Sequence, residues 1–238
     1  MQPIEHNQGS RLYCETEKGR RQTDDGRQKH PSRAEPIQRD AGDWVLSDGR
    51  RSITALTIVN AAGAWADVVA LLAGARPLGI QPMRRTIVQV RVEGGEVPET
   101  MPFCIDIAGS YYFRVEGANR LWLCPHDETP VDPCDAAPED LDVAIAIDRF
   151  ETVTSWRVAA VERKWAGLRS FAPDRLPVYG FDPLVPDFFW CAGQGGVGIQ
   201  TSPAAGKMCA HLILGGAPNP MVANLNPTIY APARFVLA

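Results

Sequence analysis

The sequence predicts a mixed α/β (α+β) fold, in which an antiparallel-rich sheet joins part of an α/β layer, and three observations lead there. A short β-branched run at residues 53–59 passes through Asn60-Ala61-Ala62-Gly63 into a helix-like stretch. Apolar runs at 86–92, 111–115 and 121–123 are separated by turn residues. Near the end, Phe188-Phe189-Trp190-Cys191-Ala192 runs into a glycine-rich loop and a second helix-like stretch. Strand, glycine turn and helix in succession make an α/β layer, whereas short strands joined by tight turns make an antiparallel sheet.

Taken in order, residues 8–42 are dominated by charged and polar side chains with little to bury, so residues 1–43 are expected to be a disordered segment. Order is expected from Trp44-Val45-Leu46, which the turn Ser47-Asp48-Gly49 joins to 53–59 as a hairpin. The run 53–59 is short and β-branched and reads as one buried strand. Residues 64–73 form a helix with Trp65, Val68, Val69 and Leu72 on one face and Gly74 as its stop. Residues 44–79 are assigned to one part of the fold and 80–164 to a second part holding the antiparallel sheet. Pro138, Glu139 and Asp140 open a helix carrying Leu141, Ile145, Ile147 and Phe150 over that sheet, because proline and acidic residues suit a first turn. Residues 165–216 return to the first part, and 217–238 form a loosely packed tail.

At 238 residues with 45% apolar content, the chain can bury a substantial core. A net charge of −4 supplies no excess of cations to neutralise phosphates, which argues against nucleic acid as a partner. The cysteines, Cys14, Cys104, Cys124, Cys134, Cys191 and Cys209, never form Cys-x-x-Cys. Reduced thiols and a cytoplasmic location are therefore expected. His6, His30, His126 and His211 lack metal-ligand spacing, so no metal and no catalytic histidine is assigned. No run reaches the ~20 apolar residues of a membrane span.

The loop Gly193-Gln194-Gly195-Gly196-Val197-Gly198 is nearly free of side chains, so another group can approach its backbone closely. Thr201 and Ser202 read as caps and Pro203 as a first-turn residue of a helix over 204–214. A helix amino terminus favours a phosphate, a carboxylate or an anionic ring. Glycines needed only for backbone freedom explain such a loop equally well. A dinucleotide fingerprint would lie in an initial βαβ unit, far from this position.

Three segments in order carry a resemblance: Val59-Asn60-Ala61-Ala62-Gly63-Ala64-Trp65-Ala66-Asp67, Trp165-Ala166-Gly167-Leu168-Arg169-Ser170-Phe171, and Gly193 to Thr201. Together they resemble the FAD-dependent D-amino acid oxidase family over roughly residues 44–214. The resemblance implies an oxidoreductase that oxidises the α-carbon–nitrogen bond of a D-amino acid, or a related small amino acid, by hydride transfer to FAD. The imino acid product would hydrolyse to a 2-oxo acid and ammonia. It implies that Gly195, Gly196, Gly198, Gln200 and Thr201 line the flavin ring. It also implies that Arg85, Tyr112 and Arg169 hold the substrate carboxylate. Two parallel charge-assisted hydrogen bonds make a guanidinium suited to that task. Strand alternation places Arg84 and Arg85 on opposite faces, and the resemblance favours Arg85. Arg84 then meets solvent or an acid.

The resemblance further implies that the family's amino-terminal Rossmann βαβ, with its Gly-x-Gly-x-x-Gly pyrophosphate grip, lies outside this sequence. Gly9, Gly19 and Gly26 follow no apolar strand and cannot replace it. Two expectations result. The chain is either part of a flavoenzyme, impaired alone and served by a partner chain that supplies the missing segment, or a non-catalytic remnant that binds no FAD.

Overall fold

The computed structural model describes residues 37–47 and 50–235. The calls on residues 1–36 lie outside the described residues. Residues 38–40, inside the segment expected to be disordered, form a strand. β1 (Gln38–Asp40) pairs antiparallel with β2 (Asp43–Ser47), which pairs with β3 (Ser52–Ala55). The hairpin predicted to join residues 44–46 to 53–59 is present as far as Ala55. The single strand predicted over 53–59 is instead two strands. β4 (Ile58–Asn60) leaves the hairpin and joins a different sheet, and Leu56 between them is 75% exposed. Asn60 explains the tight exit: its buried side chain donates to Ala66 O at 2.8 Å and accepts from Ala62 N at 3.3 Å. A 3-10 turn, Gly63–Trp65, then leads into α1 (Ala66–Leu72). The buried side of α1 is Ala66 and Ala70, with Val69 partly buried, whereas Trp65 and Val68 face outward. Small alanines allow the helix to approach the sheet closely, which an apolar pattern alone does not reveal.

The Asp67 carboxylate accepts the N–H groups of Leu78, Gly79 and Ile80 at 3.1, 2.9 and 2.8 Å. It thereby fixes the chain entering β5 (Gln81–Glu93). β6 (Cys104–Ile105), β7 (Tyr112–Gly117), β8 (Arg120–Cys124) and β9 (Thr129–Pro130) follow, then α2 (Asp140–Val153) and β10 (Arg157–Phe171). Among the described residues these strands make a six-stranded antiparallel sheet in the order β10-β5-β8-β7-β6, with β9 also on β5. β10 was not anticipated. Its strong apolar residues Val158, Val161, Trp165 and Leu168 recur every three or four positions rather than every second one, yet it pairs with β5 from Arg157↔Glu93 to Phe171↔Gln81.

One face of this sheet, with Val88, Val90, Leu121, Leu123 and Phe113, packs on α2 through Ala146 and Phe150. Leu141, expected on that face, is 67% exposed. Asp142 takes a buried position because it meets Arg84, whose Nη2 lies 3.0 Å from Asp142 Oδ2. Glu139 is the second acid on Arg84.

β11 (Val178–Phe181) and β12 (Phe188–Ala192) pair antiparallel, and β12 pairs parallel with β4. Strand alternation sends Phe188, Trp190 and Ala192 into the core shared with Trp44 and α1. Phe189 and Cys191 point to the other core, under α3 (Gly198–Leu214). Trp190 is fully buried, and its ring N–H donates to Asp182 Oδ2 at 3.0 Å. No helix among the described residues is long and apolar enough to cross a membrane.

Tail residues 222–235 are anchored rather than loose. Val222 is buried beside Tyr179, and the Tyr230 ring lies 5.8 Å from that of Tyr179. Arg234 grips Asp174 with Nε–Oδ2 at 2.7 Å and Nη2–Oδ1 at 3.1 Å, and also donates to the carbonyls of Tyr230, Ala231, Leu176 and Pro177. The guanidinium hydrogen bond holds the Asp174 carboxyl below its ordinary value. A carboxyl depressed on folding adds stability above its unfolded pKa of about 3.9 and loses it as pH falls through the folded value. Arg234→Gln should therefore lower the melting temperature at neutral pH, with the gap to wild type narrowing below roughly pH 4. A gap that stays constant across a pH series of thermal melts would contradict this assignment.

Candidate functional site

Strand register builds the site. On β5, Arg85 lies opposite Gly167 of β10, and Met83 lies opposite Arg169. Directly opposed residues of an antiparallel pair share a face, as do residues two apart on one strand, so Arg85, Gly167 and Arg169 share a face. Gln89 lies opposite Trp122 on β8, and Tyr112 of β7 lies opposite Cys124, which extends that face to Trp122, Cys124 and Tyr112. This is the face turned away from α2. Arg84 points the other way, into the acids of α2, so the alternation expected of the two arginines is what the structure contains.

The Arg85 side chain is 4% exposed. Its Nη2 donates to Glu128 Oε1 at 3.0 Å, while Nε and Nη1 are buried without a partner. A guanidinium stays charged in a protein, and buried N–H groups left unpaired cost about 1–3 kcal/mol, so an anionic acceptor fits that unpaired edge. Arg169, half-buried, donates from Nη2 to Tyr112 Oη across 3.4 Å, a long contact. Burial pushes the Tyr112 phenol up to about 12, with the neighbouring Cys124 adding to the effect and Arg169 and Arg85 opposing it. Tyr112 therefore remains a neutral hydroxyl able to donate a hydrogen bond at ordinary pH. Its ring lies 5.7 Å from that of His126, edge to face.

Two acids that sequence reading missed hold this cluster. Glu128 accepts from Arg85 and also from Arg175 Nη2 at 3.0 and 2.9 Å, and the Arg175 guanidinium lies 4.1 Å over the Phe171 ring. Asp127 accepts Thr86 N at 2.9 and 3.1 Å and Thr86 Oγ1 at 2.9 Å, which fixes β5 beside Arg85 where β8 has ended. The dipeptide Asp127-Glu128 has no distinguishing local pattern. Its significance comes from contacts with residues more than forty positions away.

The glycine loop closes on the same end of β10. Gly195 N donates to Ser170 O at 2.8 Å, and Gln194 forms an isolated bridge with Phe171. A Cβ on Gly195, where φ is +56°, would lie 2.5 Å from Phe171 Cε1. On Gly196 it would lie 2.7 Å from Arg169 Nη1. Gly195 is thus required by close approach to a ring, whereas at Gly196 only the movable end of Arg169 stands in the way, and the loop sits directly against that second arginine.

The helix after the loop starts at Gly198, three residues before the expected caps. Thr201 donates from both N and Oγ1 to Val197 O, at 3.0 and 2.9 Å. Pro203 lies inside the helix and cannot donate to Ile199 O, and the Ser202 hydroxyl takes that carbonyl at 2.8 Å instead. Gly198, Ile199 and Gln200 occupy the first turn, whose N–H groups have no intrahelical acceptor. The structure brings Arg85, Tyr112, Arg169, Gly195 and Gly196 together. Gly198 and Gln200 lie at the helix start, and the Thr201 hydroxyl is engaged within the helix. Among the described residues, no group of three or more His, Cys, Asp or Glu side chains could hold a metal ion.

Comparison with known proteins gives this arrangement a context. The family described as FAD dependent oxidoreductase (DAO) matches residues 22–212. FAD-dependent oxidoreductase domain-containing protein 1 of Xenopus laevis is 30% identical over 182 residues, covering 70% of this chain and 36% of that protein. Human mitochondrial sarcosine dehydrogenase is 28% identical over 178 residues, covering 70% of this chain and 19% of that protein. Among solved structures, glycine oxidase from Geobacillus kaustophilus superposes with a TM-score of 0.64 at 24% identity, covering 82% of this chain and 51% of that chain. That likeness shows the fold. The chain spans about a third of the first curated relative and about half of the solved one.

The loop geometry separates two neighbouring substitutions. Gly195→Ala forces a left-handed residue and a collision with an aromatic ring, so it should destabilise the fold by at least about 1–2 kcal/mol. Gly196→Ala meets only the movable end of Arg169, so it should leave the urea midpoint near wild type while displacing the guanidinium. Equal loss of stability in both variants would refute the reading.

Proposed function

Because this chain belongs to the FAD dependent oxidoreductase family, we propose that it forms the flavin-ring and substrate side of an enzyme oxidising the carbon–nitrogen bond of a small amino acid. The observation that supports this reading best is the buried Arg85 guanidinium with two unpaired nitrogens, on one sheet face with Arg169 and Tyr112. Arg85 and Arg169 bind the substrate carboxylate, and the neutral Tyr112 hydroxyl donates a third hydrogen bond to it. Glu128 occupies Arg85 Nη2 and so leaves its other nitrogens free for the substrate. Anchoring the carboxylate orients the α-carbon, which counts in catalysis because a fixed geometry removes the entropy cost of encounter.

The residues at the loop fit FAD. Gly195 and Gly196 carry no side chain to obstruct a ring, and the first turn of α3, with Gly198 and Gln200, offers N–H groups to negative charge. Thr201 stands one position further along. When bound, FAD supplies the two-electron acceptor for the substrate, and the imino acid product hydrolyses in water to a 2-oxo acid and ammonia.

In this reading, residues 44–79 and 165–216 belong to a flavin-binding part and 80–164 to a substrate-binding part. A D-amino acid is the preferred substrate class. The segments at residues 76–85 and 195–202 favour likeness to bacterial D-arginine dehydrogenase, while the relationship to sarcosine dehydrogenase keeps secondary amines in the test set. The chain spans only part of its relatives, so full activity is proposed for an assembly in which a further FAD-binding segment grips the pyrophosphate, and a cytoplasmic setting is assumed.

The test is to purify the chain alone and with a polypeptide carrying a Gly-x-Gly-x-x-Gly dinucleotide grip, record the flavin absorption, and assay D-amino acids, glycine and sarcosine with a dye acceptor. Retained flavin and dye reduction by an amino acid support the proposal. A colourless protein in both samples would instead support a remnant that binds no FAD. In a flavin-loaded sample, Arg169→Ala should lower kcat/KM on the order of a hundredfold, mainly through KM, with flavin content unchanged. Unchanged kcat/KM in that variant would remove Arg169 from the carboxylate site.

A further inference from the structure

Beyond the arginine cluster, the interface between β12 and α3 holds a second reactive arrangement. Cys191 on β12 and Cys209 on α3 face each other with their sulfurs 3.9 Å apart, the Cys209 thiol donating to the Cys191 sulfur. The five described cysteines are all free. Cys209 is buried, and Cys191 is half-buried. A disulfide bond is about 2.05 Å long, so bonding requires the two sulfurs to move closer together.

The two thiols are not equivalent. The Cys209 hydrogen bond, joined by one from the Gln194 side-chain amide at 3.6 Å, favours the thiolate of Cys191 and holds this group below its ordinary value against the effect of burial. Cys209 is shifted upward, because its proton is the one shared with Cys191 and because it is buried. Tyr179, directly opposite Cys191 on β11, has a buried hydroxyl without a partner, and the same two sulfurs add to the burial that opposes its ionisation. Thiolate character and access together select the attacking cysteine of a pair.

We propose that Cys191 and Cys209 form a thiol-oxidation site for hydrogen peroxide. The Cys191 sulfur attacks the peroxide oxygen, the O–O bond breaks, and a sulfenic acid forms as one water leaves. The Cys209 thiol then attacks that sulfur, its proton departs with the hydroxyl as a second water, and a disulfide forms. In total two thiols lose two electrons and two protons, and hydrogen peroxide takes them to become two waters.

The bond would close the segment between 191 and 209, which contains the glycine loop and the first turns of α3. It would also change the sulfur that accepts from Gln194, the residue whose backbone bridges Phe171 and whose Cβ lies 3.0 Å from a Cβ placed on Gly198. Oxidation at this pair is therefore coupled to the shape of the loop. The oxidation site itself does not depend on what the loop binds.

Exposure of the purified chain to a small excess of hydrogen peroxide, followed by iodoacetamide, intact mass and peptide mapping, tests the proposal. Wild type should lose two hydrogens, yield a linked peptide pair containing Cys191 and Cys209, and revert with dithiothreitol. Cys209→Ser should stop at a sulfenic acid on Cys191 that dimedone traps, and Cys191→Ser should leave Cys209 free to alkylate. The proposal is overturned if both wild-type thiols remain alkylatable, if the disulfide forms between other cysteines, or if Cys209 is the residue dimedone traps. The wild-type map needs no substitution, so it decides the matter even if a variant fails to fold.

Discussion

The long antiparallel pairing of β5 with β10 is the constraint on which both the core and the candidate site depend. It runs from Arg157↔Glu93 to Phe171↔Gln81 and sorts every side chain along it to one of two faces. Arg84 is sent into the acids of α2, where it stabilises the helix on the sheet, and Arg85 is sent to the opposite face. A register slip of one residue would turn Val88 and Val90 away from the core under α2 and bring Gln89 and Arg91 in their place. The same pairing carries Arg169 beside Arg85 and brings the end of β10 to the glycine loop. Fold and site are therefore consequences of one register.

Much of this was legible in the sequence because its signals are local and periodic. The split between Arg84 and Arg85 follows from a period of two, and the antiparallel runs around Thr86, Tyr112 and Leu121 stand out through apolar alternation. Where local rules compete, the reading failed. Thr201-Ser202-Pro203 has the composition of a helix start, yet α3 begins at Gly198 and the Ser202 hydroxyl compensates for the proline inside it. Residues 53–59 look like one strand because β-branched residues continue through a point where the chain changes sheets. Glu128, Asp127 and the grip of Arg234 on Asp174 depend on long-range contacts, which no local pattern encodes.

Electrostatically, the site combines a cluster of cations with one shared acid. Arg85, Arg169 and Arg175 converge near Tyr112 and Phe171, and Glu128 joins Arg85 to Arg175. That acid leaves Arg85 with hydrogen-bonding capacity in a place where water is largely excluded. A preorganised donor of this kind is worth more to a ligand than an exposed one, because its orientation and desolvation are already set by the fold. The glycine loop against Arg169 brings an anion-favouring helix start to the same place. Family membership and geometry together support the proposal of a carboxylate bound beside a flavin.

The central claim is that the unpaired edge of Arg85 receives a carboxylate. It is tested most directly by following the arginine Nε–H resonances in a nitrogen-15 labelled sample while a simple carboxylate such as acetate is titrated in, with chloride at equal ionic strength as control. The account predicts a saturable downfield shift of the Arg85 signal, accompanied by Arg169, that chloride does not reproduce. A shift confined to exposed arginines, or one that chloride matches, would contradict it.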